Sequence, residues 1–129
     1  YRFRPNDFVT MGEFARMVVK GLQVPLSITA AHFSDVPRGH PDFKYIETLY
    51  DYSTQSLEPF FDYEIHTEPG KSTRVLAHSD REMTGAQAIE IISGLMRKKA
   101  KGWTDLDANL TRGEAAQLIY KQNDMNNFK

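Results

Sequence analysis

The sequence predicts a mainly α fold: pseudo-threefold helical repeats with a β-hairpin inserted among them. Three observations predict it. One helix-start signal occurs three times, a short aromatic loop motif occurs twice, and one intervening stretch changes from helical to alternating periodicity. Repeats of this kind are sought first, because a repeat missed misplaces the whole fold.

The helix-start signal reads Val9-Thr10-Met11-Gly12-Glu13, then Met83-Thr84-Gly85-Ala86-Gln87, then Leu110-Thr111-Arg112-Gly113-Glu114. Each copy is an apolar residue, a Thr, two spacers and a Glu or Gln, which is a capping box. The Thr hydroxyl accepts from the backbone N–H three residues on, and the Glu or Gln reaches back to the Thr N–H. The preceding apolar residue is placed to staple onto the position after the box: Val9 on Phe14, Met83 on Ala88, Leu110 on Ala115.

Each start opens an amphipathic helix. The first places Phe14, Met17, Val18 and Leu22 on one face. The second places Ala88, Ile91, Ile92, Leu95 and Met96 there, and the third Ala115, Leu118 and Ile119. These are the i, i+3, i+4, i+7 spacings of a helix with one buried stripe. Small residues follow two of the boxes, Ala15 and Ala116, where helices would approach closely; Ile89 takes that place in the middle copy.

Phe33-Ser34-Asp35-Val36 follows the first helix and Trp103-Thr104-Asp105-Leu106 the second. The aromatic and aliphatic residues would pin a loop to the core. The hydroxyl and the Asp would hydrogen-bond backbone, so Asp35 and Asp105 are expected to be structural.

Between these motifs, about residues 53–80, Pro69-Gly70 marks a turn. Phe61, Tyr63 and Ile65 alternate with polar residues before it, and Thr73, Val75 and Ala77 less strongly after it. A β-hairpin is expected. Aromatics in a strand usually pack inward, which makes the hairpin a flap over the core. The alternative is a sugar-binding surface with Phe60, Phe61 and Tyr63 stacked on pyranose faces.

The order of these motifs resembles the S-layer homology family. Phe3-Arg4-Pro5 matches its F-x-P lead-in, Thr10 to Glu13 its I-T-R-A-E-like helix start, and Phe33 to Val36 its F-x-D-V loop. Leu110-Thr111-Arg112-Gly113-Glu114-Ala115-Ala116 is the best single match. The resemblance implies a second helix from Pro41 to Tyr52 carrying Phe43, Ile46, Leu49 and Tyr50. It also implies that the Arg of the T-R-x-E motif lines a groove between repeats and contacts an anionic cell-wall polysaccharide. Only Arg112 keeps that Arg; Met11 and Gly85 stand in the equivalent places. An Arg fork donates two parallel hydrogen bonds to a carboxylate, which neither Met nor Gly does. The third repeat is short, with no room for a second helix unless Tyr1 and its neighbours, or a further segment, close it.

The expected ligand contacts are therefore Arg112, with Thr111 and Glu114 holding its loop, and Trp103 as a sugar-stacking face. Arg112 also reads equally well as a solvated residue in the first turn of a helix. Two partners follow: an anionic cell-wall polysaccharide, or a parent-enzyme domain on which this domain packs as an accessory. The resemblance implies a bacterial surface or secreted protein, extracellular or on the cell surface.

Composition excludes other classes. The 129 residues suffice for one domain, 1–129, with a real core, and 40% hydrophobic with 12% aromatic residues supports a folded globule. Lys and Arg number 16 against 17 Asp and Glu, a net charge of -1 that argues against nucleic-acid binding. No Cys is present, so disulfides, thiolate metal sites and Cys nucleophiles are excluded. No apolar run approaches a membrane span or signal-peptide core. The chain opens on Tyr1-Arg2-Phe3 without Met, and is expected to be a piece of a longer protein with any export signal or catalytic domain upstream.

Catalysis finds little support. Glu58, Asp62 and Glu64 lie close in sequence, but a glycoside-cleaving pair needs one carboxyl in an apolar cleft. His32, His40, His66 and His78 include no His-x-x-x-His pair on a predicted helix, so no metal is expected. No Gly-rich phosphate loop is present, and no cofactor is implied. Arg97-Lys98-Lys99-Ala100-Lys101 falls at a helix C-terminus, where cations favour the dipole.

Overall fold

The computed structural model describes residues 5–100, 102 and 105–126. Phe3, Arg4, Trp103 and Thr104 lie outside the described residues. Among those described, the chain forms four helices and one two-stranded antiparallel hairpin: α1 (Met11–Gly21), α2 (Phe43–Thr54), β1 (Glu64–His66), β2 (Arg74–Leu76), α3 (Gly85–Met96) and α4 (Arg112–Asn126).

All three capping boxes form. Thr10 Oγ1 accepts from Glu13 N at 3.3 Å, and Glu13 Oε1 accepts from Thr10 N at 3.0 Å. Thr84 and Gln87 repeat this at 3.3 and 2.9 Å, and Thr111 and Glu114 at 3.1 and 2.9 Å.

The residues just before these caps bind one another in a closed ring. Val9 N donates to Leu110 O at 2.9 Å, Leu110 N to Met83 O at 2.8 Å, and Met83 N to Val9 O at 3.1 Å. The first two N–H groups of α1, α3 and α4 also donate across the ring. Met11 and Gly12 bond the carbonyls of Arg81 and Ser79; Gly85 and Ala86 bond Ala108 and Leu106; Arg112 and Gly113 bond Asp7 and Pro5. A helix N-terminus normally leaves four donors unpaired. Here the ring strands take two and the capping box takes the other two. Residues 5–9 thus supply at the third start what residues 79–83 and 106–110 supply at the others.

Below the ring, α1 packs on α2 and α4, and α2 packs on α3. The expected stripes are buried: Phe14 and Val18 on α1, Ala88, Ile91 and Ile92 on α3, Ala115, Leu118 and Ile119 on α4. All six staple residues join one core cluster. Met17, Leu22, Leu95 and Met96 pack at its margin. Gly21 permits the close approach of α1 and α4, because a Cβ there would meet Ile119 Cγ2 at 2.5 Å.

α2 begins at Phe43 rather than Pro41 and runs past Tyr52 to Thr54. Phe43, Ile46 and Leu49 are buried as expected, but so are Glu47, Thr48 and Asp51. These polar residues hold the irregular segment between α1 and Phe33. Glu47 Oε2 accepts from His32 N at 2.8 Å, Thr48 Oγ1 from Ser27 N at 3.1 Å, and Asp51 Oδ1 from Thr29 Oγ1 at 3.1 Å. Ser27 Oγ also bonds Asp51. A backbone without sheet partners still needs its donors met, and α2 side chains meet them.

The hairpin pairs Glu64 with Leu76, Ile65 with Val75 and His66 with Arg74. Phe60 and Phe61 are buried, whereas Tyr63 and Ile65 of the same alternation are exposed. The Phe60 and Phe61 N–H groups both bond Ser53 Oγ, at 2.9 and 3.0 Å. Phe33, Tyr50, Phe61 and Tyr63 form an aromatic cluster with centroid separations of 5.3 Å for Phe33–Tyr50 and 5.6 Å for Tyr50–Tyr63. Asp35 is structural, but it reaches across the molecule rather than along its own loop. Its two oxygens accept from Ala77 N at 2.9 Å and His78 N at 2.8 Å. Asp105 instead makes a local turn, accepting from Asp107 N at 3.0 Å.

Gly94, inside α3, allows the Phe60 ring to lie on the helix backbone; a Cβ there would overlap the ring. Ala is intrinsically better in a helix by about 1 kcal/mol. Overpacking costs about 1–3 kcal/mol and is expected to prevail. Gly94→Ala should therefore destabilise the domain by about 1–2 kcal/mol in chemical denaturation. The loss should vanish in a Phe60→Ala background, where the methyl has room.

Candidate functional site

Arg112 is the first residue of α4, and its guanidinium reaches back to the first helix start. Nη2 ion-pairs with Glu13, and Nη1 lies 3.5 Å from Asp7 Oδ2. The Arg112 side chain is 17% exposed against 51% for Asp7. Arg112 joins the third helix start to the first rather than standing as a solvated first-turn residue. Burial opposes ionisation of Glu13, but the Thr10 backbone N–H and Arg112 outweigh it and hold the carboxyl below its usual range. Thr111 and Glu114 are engaged in their capping box. Trp103, the remaining expected contact, lies outside the described residues. At the equivalent places Met11 and Gly85 are buried.

Helix N-termini are natural anion sites because they present unpaired N–H groups. The ring removes that option here, since the first-turn donors are already bonded at all three ring starts. An anion at these starts has to be held by side chains.

A cavity of about 200 Å³ lies between the hairpin and the starts of α1 and α3. Met11, Phe60 and Met83 form part of its wall, and Asp62, Glu82 and Glu90 line it as well. Burial pushes the Glu90 carboxyl up, and the charge of Asp62 adds to this. Asp62 and Glu64 both line this cavity, whereas Glu58 borders a different hollow beside Ser93 and Arg97.

At the rim of the cavity the structure assembles a group that helical spacing did not reveal. His66 Nε2 lies 2.9 Å from Glu64 Oε2, and His78 Nε2 lies 3.2 Å from Glu64 Oε1. Arg81 Nη1 donates to Glu64 Oε1 at 3.2 Å. The sequence signal was strand periodicity. Glu64 and His66 are two residues apart on β1, so they share a face. Glu64 pairs with Leu76, and His78 follows two residues later beyond the end of β2. His78 has a left-handed backbone, φ 57°, which Asp35 holds by accepting its N–H. His32 and His40 are used elsewhere: His32 Nδ1 sits 2.5 Å from buried Glu47, and His40 Nδ1 accepts from Asp42 N at 3.0 Å.

The hydrogen bonds from His66 and Arg81, with His78 Nε2 close by, pull the Glu64 carboxyl down to about 2. A depressed carboxyl adds stability above its unfolded value, near 4.5, and loses it as pH falls through about 2. The melting-temperature difference between wild type and Glu64→Gln should therefore be largest above pH 4.5 and close as pH falls to about 2. Thermal melts across that range check this.

No protein-family model and no curated protein sequence matches this chain.

Proposed function

We propose that this chain is a non-catalytic binding or anchoring module of S-layer-homology type, with pseudo-threefold repeats, from the outer surface or secretions of a bacterium. The observation that carries this reading is the closed ring of Val9, Met83 and Leu110. Three capped starts of the same spacing meet in it with like hydrogen-bonding partners, which supports the reading of three repeats. In that family the Arg of the helix start contacts an anionic cell-wall polysaccharide, and Arg112 is the residue in that place. A ligand carboxylate would take the position of Asp7, the longer and more exposed of the two ion pairs.

A second reading has its own support. Met11 and Gly85 stand where the other two Arg would be, and Arg112 is already engaged by Glu13. These features suit an accessory domain that packs on a parent enzyme and binds no wall polymer.

Co-sedimentation with purified bacterial sacculi separates the two readings. For the binding module, Arg112→Ala should weaken binding roughly tenfold or more, as expected for loss of a charge-assisted bond. Asp7→Asn should strengthen it, because the internal competitor is gone, and added salt should weaken it. Circular dichroism melts of both variants separate lost binding from lost folding. Absence of binding by folded wild type to all wall preparations would transfer the assignment to the accessory domain.

A further inference from the structure

We propose that Glu64, His66 and His78 form a divalent-cation site of the zinc class on the hairpin rim. The donor atoms of the three residues all lie within 4.8 Å of one another. Two imidazoles and one carboxylate are a set that zinc favours, leaving a fourth position for water or an incoming ligand. The Glu64 oxygens already stand 2.9 and 3.2 Å from the two Nε2 atoms. Neighbouring ligands about a tetrahedral zinc with bonds of ~2.0–2.1 Å lie ~3.3 Å apart, so closure onto an ion needs small movements only.

The surroundings favour a cation. Asp62, Glu82 and Glu90 line the adjoining cavity, so the site faces an acid-rich wall. The scaffold also limits the donors' freedom. Glu64 and His66 project from one face of β1, and His78 is held in a left-handed conformation by Asp35. Lys71 and Arg74 share the hollow beside His66 and oppose a cation, and Arg81 opposes it most directly, because its guanidinium bonds Glu64 Oε1. Its side chain is 60% exposed and has room to turn into solvent when a metal takes the carboxylate.

The test is calorimetric titration of the metal-free chain with zinc chloride alone, with imidazole NMR resonances followed in parallel. Expected is saturable binding of one ion per chain, reversed by EDTA, with shifts confined to His66 and His78. His66→Ala and His78→Ala should each weaken binding by about tenfold or more, since even outer partners of a metal ligand cost that much. Glu64→Gln should weaken it similarly. Arg81→Ala should tighten binding several-fold, which a purely structural ion-pair hub would not produce. His40→Ala should leave it unchanged. Absence of saturable binding, or binding that survives the His66→Ala/His78→Ala double variant, would overturn the proposal.

Discussion

The domain depends on three backbone hydrogen bonds among Val9, Met83 and Leu110. Each is an ordinary N–H to carbonyl contact, worth about 1 kcal/mol net on its own. Their effect comes from closure, because each residue both donates to one neighbour and accepts from the other. The three residues are also buried apolar side chains that belong to the core below. The ring therefore fixes the helix starts in space and seals the top of the hydrophobic interior with the same atoms. What is placed relative to a helix start inherits its position from this ring: the Arg112 clasp and the wall that α1 and α3 give the acid-lined cavity.

Sealing the helix starts moves the available chemistry to side chains. First-turn N–H groups are committed, so neither an anion nor a sugar hydroxyl finds backbone donors there. Among the described residues, two such groups are one Arg with two acidic partners and a Glu with two imidazoles and an Arg. The two centres have opposite character. The first is a cation held by acids of another helix start, and the second is an acid held by cations and imidazoles of the hairpin.

Much of the helical fold was legible because its signals are local. A Thr followed three residues later by Glu or Gln specifies a cap, and helical spacing then names the buried face. Phe14, Val18, Ile91, Ile92, Leu118 and Ile119 were readable for that reason. The buried polar side of α2 was not, since Glu47, Thr48 and Asp51 look like a solvated face until the segment they hold is in place. Arg112 was identified as a residue of interest, but its partners Glu13 and Asp7 lie far away along the chain. The Glu64 group escaped for a different reason. Helical spacing does not link these residues, which are joined by strand alternation and by a contact from His78 to Asp35, 43 residues away.

The ring also sets an order of events. Arg112 and Glu13 are 99 residues apart, and Val9 and Leu110 are separated by a similar length of chain. Contacts of such long range are slow to form, because the entropy of closing the loop is lost before any of them is gained. A chain emerging from the ribosome can bond Met83 N to Val9 O early, but the Val9 N–H and the Met83 carbonyl stay solvated until Leu110 arrives. The start of α3 would lack its partners Leu106 and Ala108 until that same segment is made. Closure of the ring therefore waits for the last of its three residues, and a chain truncated before Leu110 would lack the piece that closes the circle.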